Sequence, residues 1–414
     1  MVSAGGCRDM PKTIRVGLML QGGNGWAGGV EYFRNLIKAL APLENTGKIS
    51  LSYFVHQVEQ TLFEDVVPGF RDGVLPFSVN DEKPKHRKNF WHKLSHKLRL
   101  GDRVISIESP VQQYAAKVGL DFLYPYFPKR GERILVPTAA WIPDFQHNVM
   151  PHFFSKKERT SRDRTYALAA RYSSSLVLSS RAAEIDFKNY YGRESIPVEI
   201  LNFHTVPDDN WFQADSVVAV QELNLPPNFF YCANQFWIHK NHETVIKAVG
   251  ILKQRGIDVN LVCTGSLNDY RHPGYVTKLQ QTIKDLRIAD RVFLLGLIPR
   301  HQQIQLFRHS KAVIQPSLFE GWSTVVEDCR VLGKRLLLSD IAVHREQDPP
   351  NAEFFAPQEV DVLVEMMTRA WKDLPVGPHA YDEAEARELG RRHVRKYAQT
   401  FVDIAERTRQ LSGV

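Results

Sequence analysis

At 414 residues, 43% hydrophobic and 24% charged, the chain has ordinary globular usage and is too long for one core. That excludes a largely disordered protein and predicts two domains of usual size. A net charge of +7 admits anionic partners without naming one.

No run of about 18 apolar residues occurs, so no transmembrane helix is expected. The first fifteen residues lack the apolar core of a signal peptide, and the expected location is the cytoplasm. The four cysteines, Cys7, Cys232, Cys263 and Cys329, form no CxxC or Cys/His cluster, which argues against a disulfide framework or a structural zinc.

Along the chain, apolar strand candidates alternate with helical patterns, which predicts a parallel α/β architecture. In the first half the predicted strands are Ile14–Leu20, Leu51–His56, Asp121–Tyr124, Ile134–Val136, Leu176–Leu178 and Val198–Leu201. In the second half they are Phe229–Cys232, Asn260–Thr264, Val292–Leu295, Ala312–Gln315, Leu336–Leu338 and Phe354–Phe355. A proline-rich break near Pro207 to Pro227 separates the halves. This divides the chain into residues 1–206, residues 207–380 and a terminal helix over 381–414. In that last part Val394, Tyr397, Ala398, Phe401, Ala405 and Thr408 recur at helical spacing.

The stretch from Asp81 to Arg103 departs from the alternation, with eight basic residues against three acidic. Phe90, Leu94 and Leu98 share a helical face, with Trp91 beside it and Lys93, Lys97 and Arg99 elsewhere. The pattern fits a basic amphipathic helix at an anionic membrane surface, and equally a solvated helix packed on the first domain. No nucleic-acid recognition motif accompanies the charge, so no nucleic-acid partner is expected.

Four loops carry polar groups suited to chemistry. Gly23-Asn24-Gly25-Trp26-Ala27-Gly28 fits GxGxxG after the first strand, but the second strand ends without the carboxylate that a nicotinamide domain places there. Trp141 to His147 (WIPDFQH) gathers Asp, Gln and His beyond a strand, where such domains bind ligands. Gln235 to His242 (QFWIHKNH) sets Lys240 at a helix start, where a cation opposes the helix dipole and so points to a ligand. Finally, Gln315 to Gln347 reads strand, acidic turn, helix, strand. Ser323 and Thr324 open the helix, whose free N–H groups suit a phosphate. Within it, Thr324-Val325-Val326-Glu327 fits a capping box, giving Glu327 a backbone partner and freeing Asp328.

Glu320 and Asp328, eight apart and followed by Gly333, resemble the acidic signature of retaining family 4 glycosyltransferases of GT-B fold. The resemblance is strongest over residues 230–347. It implies two Rossmann-like domains facing each other across a cleft, with the C-terminal helix crossing back onto the first. It also implies transfer of a sugar from a nucleotide diphosphate sugar to a glycan or lipid-linked acceptor. No cofactor or metal is implied, and the sequence carries no DxD motif.

By the same resemblance Gly28 and Gly29 admit the donor diphosphate, His147 and Glu320 contact the donor sugar, and Lys240 neutralises the leaving diphosphate. Gln235 stands where the family usually has an arginine, with Lys311, His239 and Arg300 as candidate substitutes. Leu297 and Ile298 would lie against the base, the N–H groups around Trp322 to Val325 would hold the distal phosphate, and Gly321, Ser323 and Thr324 belong to the same donor-binding turn. Either Glu327 or Asp328 would bind the ribose. Two alternatives are a nucleotide-sugar epimerase of the same fold and an NAD(P)-dependent oxidoreductase.

Overall fold

A computed structural model describes residues 13–22, 27–55, 57–67, 75–76, 109–192 and 195–411. The basic stretch from Asp81 to Arg103 and most of the glycine motif, residues 23–26, lie outside them.

In the first domain β1 (Ile14–Leu20), β2 (Ile49–Val55), β3 (Leu75–Pro76) and β4 (Phe122–Tyr124) form a parallel sheet in the order β3-β2-β1-β4. A parallel bridge between Leu123 and Thr138 continues it to β5 (Ala139–Ile142), β6 (Ser175–Leu178) and β7 (Val198–Ile200). The expected strand at Ile134–Val136 is not one. The N–H groups of Leu135 and Val136 donate to the side chain of Gln112, both at 2.9 Å, and the ladder begins instead at Ala139.

The second domain holds β8 (Phe230–Ala233), β9 (Leu261–Thr264), β10 (Val292–Gly296), β11 (Val313–Gln315), β12 (Leu336–Ser339) and β13 (Ala352–Phe355). All are parallel, in the order β10-β9-β8-β11-β12-β13. Strands such as β8 (FYCA) and β12 (LLLS) are buried on both faces because helices cover both sides, which is why they read as unbroken apolar runs. The order reverses between β8 and β11. In open α/β sheets a crevice opens at that point, beyond the carboxyl ends of the strands.

The helix Ala380–Leu411 starts on the second domain and ends on the first. Near its start Glu383 is buried against Arg308, at 2.6 and 3.1 Å. Gly333, with φ of 62°, ends the helix Thr324–Val331, and a Cβ there would lie 2.5 Å from the Asp382 carbonyl oxygen. Farther along, Tyr397, Ala398, Phe401, Val402, Ile404 and Ala405 join the first-domain core beside Val16, Leu18 and Phe122.

Candidate active site

The loops after β8 and β11 meet at the crevice. Asn241, in the left-handed region that Asn tolerates, ends the first loop and opens the helix His242–Gln254. Its amide donates to the Pro316 and Pro357 carbonyls at 3.1 and 2.9 Å, tying this loop to the one after β11. Lys240 is thereby placed with its Nζ 2.6 Å from Oε1 of Glu320. That oxygen also accepts from Gln315 at 2.9 Å and Ser317 at 2.6 Å. Among the described residues no hydrogen-bond donor reaches the other carboxylate oxygen.

Together with the first domain these loops enclose a cavity of about 380 Å³. Its second-domain wall includes Gln235, Lys240, Leu297, Ile298, Arg300, Glu320 to Val325, and Asp328. Its first-domain wall includes Gly28, Glu31, Trp141, Asp144, Gln146 and Thr205. Gly321 lets the walls meet, since a Cβ there would stand 2.3 Å from the Pro143 carbonyl oxygen. Gly28 faces open space, and Gly29 is buried in the helix Ala27–Asn45 away from the cavity.

The start of the helix Thr324–Val331 differs from the expected capping box. Ser323 is the N-cap, its hydroxyl accepting from the Val326 N–H, and the Ser323 N–H goes to Gln347 at 3.1 Å. The N–H groups of Thr324 and Val325 belong to the first turn, where none has an intrahelical partner. Glu327 is wholly buried outside the cavity, 2.7 Å from Nδ1 of His204 and 3.0 Å from the Gln347 amide. Burial pushes its carboxyl up, but His204, Arg330 and Gln347 outweigh that and hold it below the usual value. Asp328 does line the cavity. It takes two hydrogen bonds from Arg300, at 2.7 and 2.8 Å, and one from Thr205 at 2.9 Å. The two adjacent carboxylates thus each bind the chain that leaves the first domain, through His204 and Thr205.

Gln235 lines the cavity, its side-chain amide oxygen accepting from the Ser266 N–H at 2.8 Å. Of the three basic residues considered in its place, Lys311 is excluded by position. It precedes β11, at the opposite end of the sheet, and donates to the Leu374 carbonyl. His239 lines the cavity, but burial, then Lys240, Arg271 and His242, drive it well below the usual imidazole range, so it is neutral. Arg300 brings a cation to the cavity.

His147 is a further correction. It is buried, its Nε2 lies 3.0 Å from Asp163, and its ring packs on Tyr166 and Phe154. The short helix Gln146–Val149 turns it into the domain, and Asp144 and Gln146 line the cavity instead. Asp144, Glu31, Thr205 and Gln315 were not singled out as site residues. Asp144 had a signal, since it stands in the polar cluster after β5.

Two parallel α/β domains, a cleft at the switch point and a crossing helix define the GT-B fold. Residues 215–383, within the second domain, match the family model described as Glycosyl transferases group 1. A solved structure of HepE from Anabaena, in complex with UDP and glucose, superposes with a TM-score of 0.64 at 18% identity. The match covers 97% of this chain and all of that one. Sucrose-phosphate synthase from Thermosynechococcus elongatus gives 0.60 at 15% identity, over 96% and 98% of the two chains. At these identities the likeness is one of fold. A curated relative, the O-antigen chain mannosyltransferase RfbU of Salmonella typhimurium, is 25% identical over 132 residues. That segment is 32% of this chain, and it spans only about a third (35%) of the relative's length.

Proposed function

We propose that the protein is a retaining, metal-independent glycosyltransferase of family 4, moving a hexose from a nucleotide diphosphate donor to a glycan or lipid-linked acceptor. The observation that carries this reading is the Lys240–Glu320 pair in the interdomain cleft, beside the first turn of the helix Thr324–Val331. Glu320 keeps one carboxylate oxygen for a sugar hydroxyl. Lys240, with the N–H groups of Thr324 and Val325, stabilises the departing diphosphate as charge develops on it. Arg300 supports the nucleoside end, and Asp328 has a lone pair left for a ribose hydroxyl.

Similar proteins support a sugar donor and a polysaccharide product: HepE binds UDP and glucose, and WaaG, a glycosyltransferase involved in lipopolysaccharide biosynthesis, superposes with a TM-score of 0.56 at 14% identity. A lipid-linked acceptor would place the enzyme at the inner face of the cytoplasmic membrane, with the basic stretch from Asp81 to Arg103 touching anionic lipid. The test is a panel of nucleotide sugars screened for thermal stabilisation, followed by nucleotide release with and without acceptor. Stabilisation by one donor, with release that depends on acceptor, is expected. No stabilisation by any donor, or donor turnover needing no acceptor, would remove the reading.

A further inference from the structure

The first-domain wall of the cleft has a charge pattern of its own. Its charged side chains among the described residues are two carboxylates, Glu31 and Asp144, and no lysine or arginine of that domain lines it. Beside them stand Asn35, Gln146, and the aromatic rings of Trp141 and Phe203. A phosphorylated acceptor entering here would meet like charge in a partly desolvated cleft and find no compensating cation among the described residues of this wall. Carboxylates, amides and ring faces suit hydroxyl groups and the apolar face of a neutral sugar.

Asp144 occupies a particular point of that wall. A Cβ built on Gly321 would lie 2.9 Å from the Cβ of Asp144, so the Asp144 loop lies against the turn that carries Glu320. Its Oδ1 accepts the Gln146 N–H at 2.9 Å, which fixes the side chain on the loop. The carboxyl of nearby Asp186 is pushed up to about 6, by burial first and then by the negative charge of Asp144.

We infer that Asp144 receives the acceptor hydroxyl, opposite the donor sugar held by Glu320, and that the terminal residue of the acceptor is an uncharged sugar. This deepens the glycosyltransferase reading and rests on it. Asp144 acts as a hydrogen-bond acceptor that orients the nucleophilic oxygen, and no proton is assigned to it.

The experiment uses the full chain with the donor identified by thermal shift. Asp144→Asn keeps an oxygen for the Gln146 N–H, so folding should survive. It removes the charge that strengthens the bond to the hydroxyl, and kcat/KM for acceptor should fall about 10-fold or more. The donor-induced rise in Tm should match that of the parent. In parallel, neutral methyl glycosides are compared with their 6-phosphate derivatives as acceptors, and the neutral sugars should be used in preference. An unchanged acceptor KM and kcat in Asp144→Asn, or preference for the phosphorylated sugars, would overturn the inference while leaving the transferase reading intact. Absence of any donor-induced shift in the parent would instead overturn both.

Discussion

Lys240 and Glu320 stand 2.6 Å apart across the crevice, eighty residues apart in sequence, on the loops that follow the two central strands of the second domain. The pairing balances charge within the cleft. It also sets the ammonium where a departing diphosphate needs it and the carboxylate where a sugar hydroxyl does.

Lys240→Ala should lower kcat by about 10² to 10³, in line with the loss of one transition-state donor. Glu320 would keep Gln315 and Ser317 as donors, so Tm should move little. Steady-state rates and a melting curve on one preparation check both parts. Transfer at the parental rate would make Lys240 only the structural partner of Glu320.

Glu327 and Asp328 should separate cleanly. Glu327→Gln should destabilise the fold, because it leaves His204 and Arg330 without the buried charge they face, while the donor KM stays unchanged. For breaking buried pairs of this kind the loss is on the order of 3 kcal/mol. Asp328→Ala should raise the donor KM several-fold with kcat less affected, since a ribose contact acts in ground and transition states alike. Some loss of Tm should accompany it, as Arg300 and Thr205 both lose their acceptor. A KM effect at Glu327 with none at Asp328 would reverse the assignment.

The depressed carboxyl of Glu327 also carries a pH signature. A carboxyl held lower in the folded than the unfolded state stabilises the protein fully above the ordinary value of 4.5. That contribution is lost as pH falls through the folded value. The parent should therefore lose more stability between pH 5 and pH 3 than Glu327→Gln, measured as the shift in urea midpoint. Equal shifts in the two proteins would show that Glu327 binds protons alike in both states.

Excess chelator should leave transfer unchanged, because Lys240 and the helix N-terminus, rather than a cation, are assigned to the leaving diphosphate. Complete loss of activity in chelator, restored by magnesium or manganese, would overturn that assignment.

Phe401→Ala should destabilise the protein by about 3 to 5 kcal/mol, the usual cost of emptying a fully buried aromatic site. Phe401 packs on Phe122 and Tyr124, so the loss should appear in first-domain amides by hydrogen exchange although the residue lies at the end of the chain. Protection lost only within the crossing helix would show that the contact contributes little.

Much of this was legible in the sequence because parallel strands buried on both faces announce themselves as apolar runs, and because Glu320, Asp328 and Gly333 keep a local spacing. What escaped depends on distant partners. Ile134–Val136 looks like a strand until Gln112, more than twenty residues earlier, takes its N–H groups. Glu327 fits a local capping box until His204, 123 residues earlier, takes its carboxylate. With Ser323 and Thr324 adjacent, either could cap the helix, and only the Ser323 hydroxyl reaching Val326 decides. Nor does a polar loop state which side chains face outward, and so Asp144 was passed over for His147.

Because the helix Ala380–Leu411 returns to the first domain, the polypeptide passes between the two halves twice, once through Asn202 to Val206 and once along that helix. Two crossings constrain motion as a pair of door hinges does. Opening can turn about the line joining them, whereas twisting and sliding would tear one passage loose. Cutting the gene between the halves would accordingly leave the first domain without part of its own core.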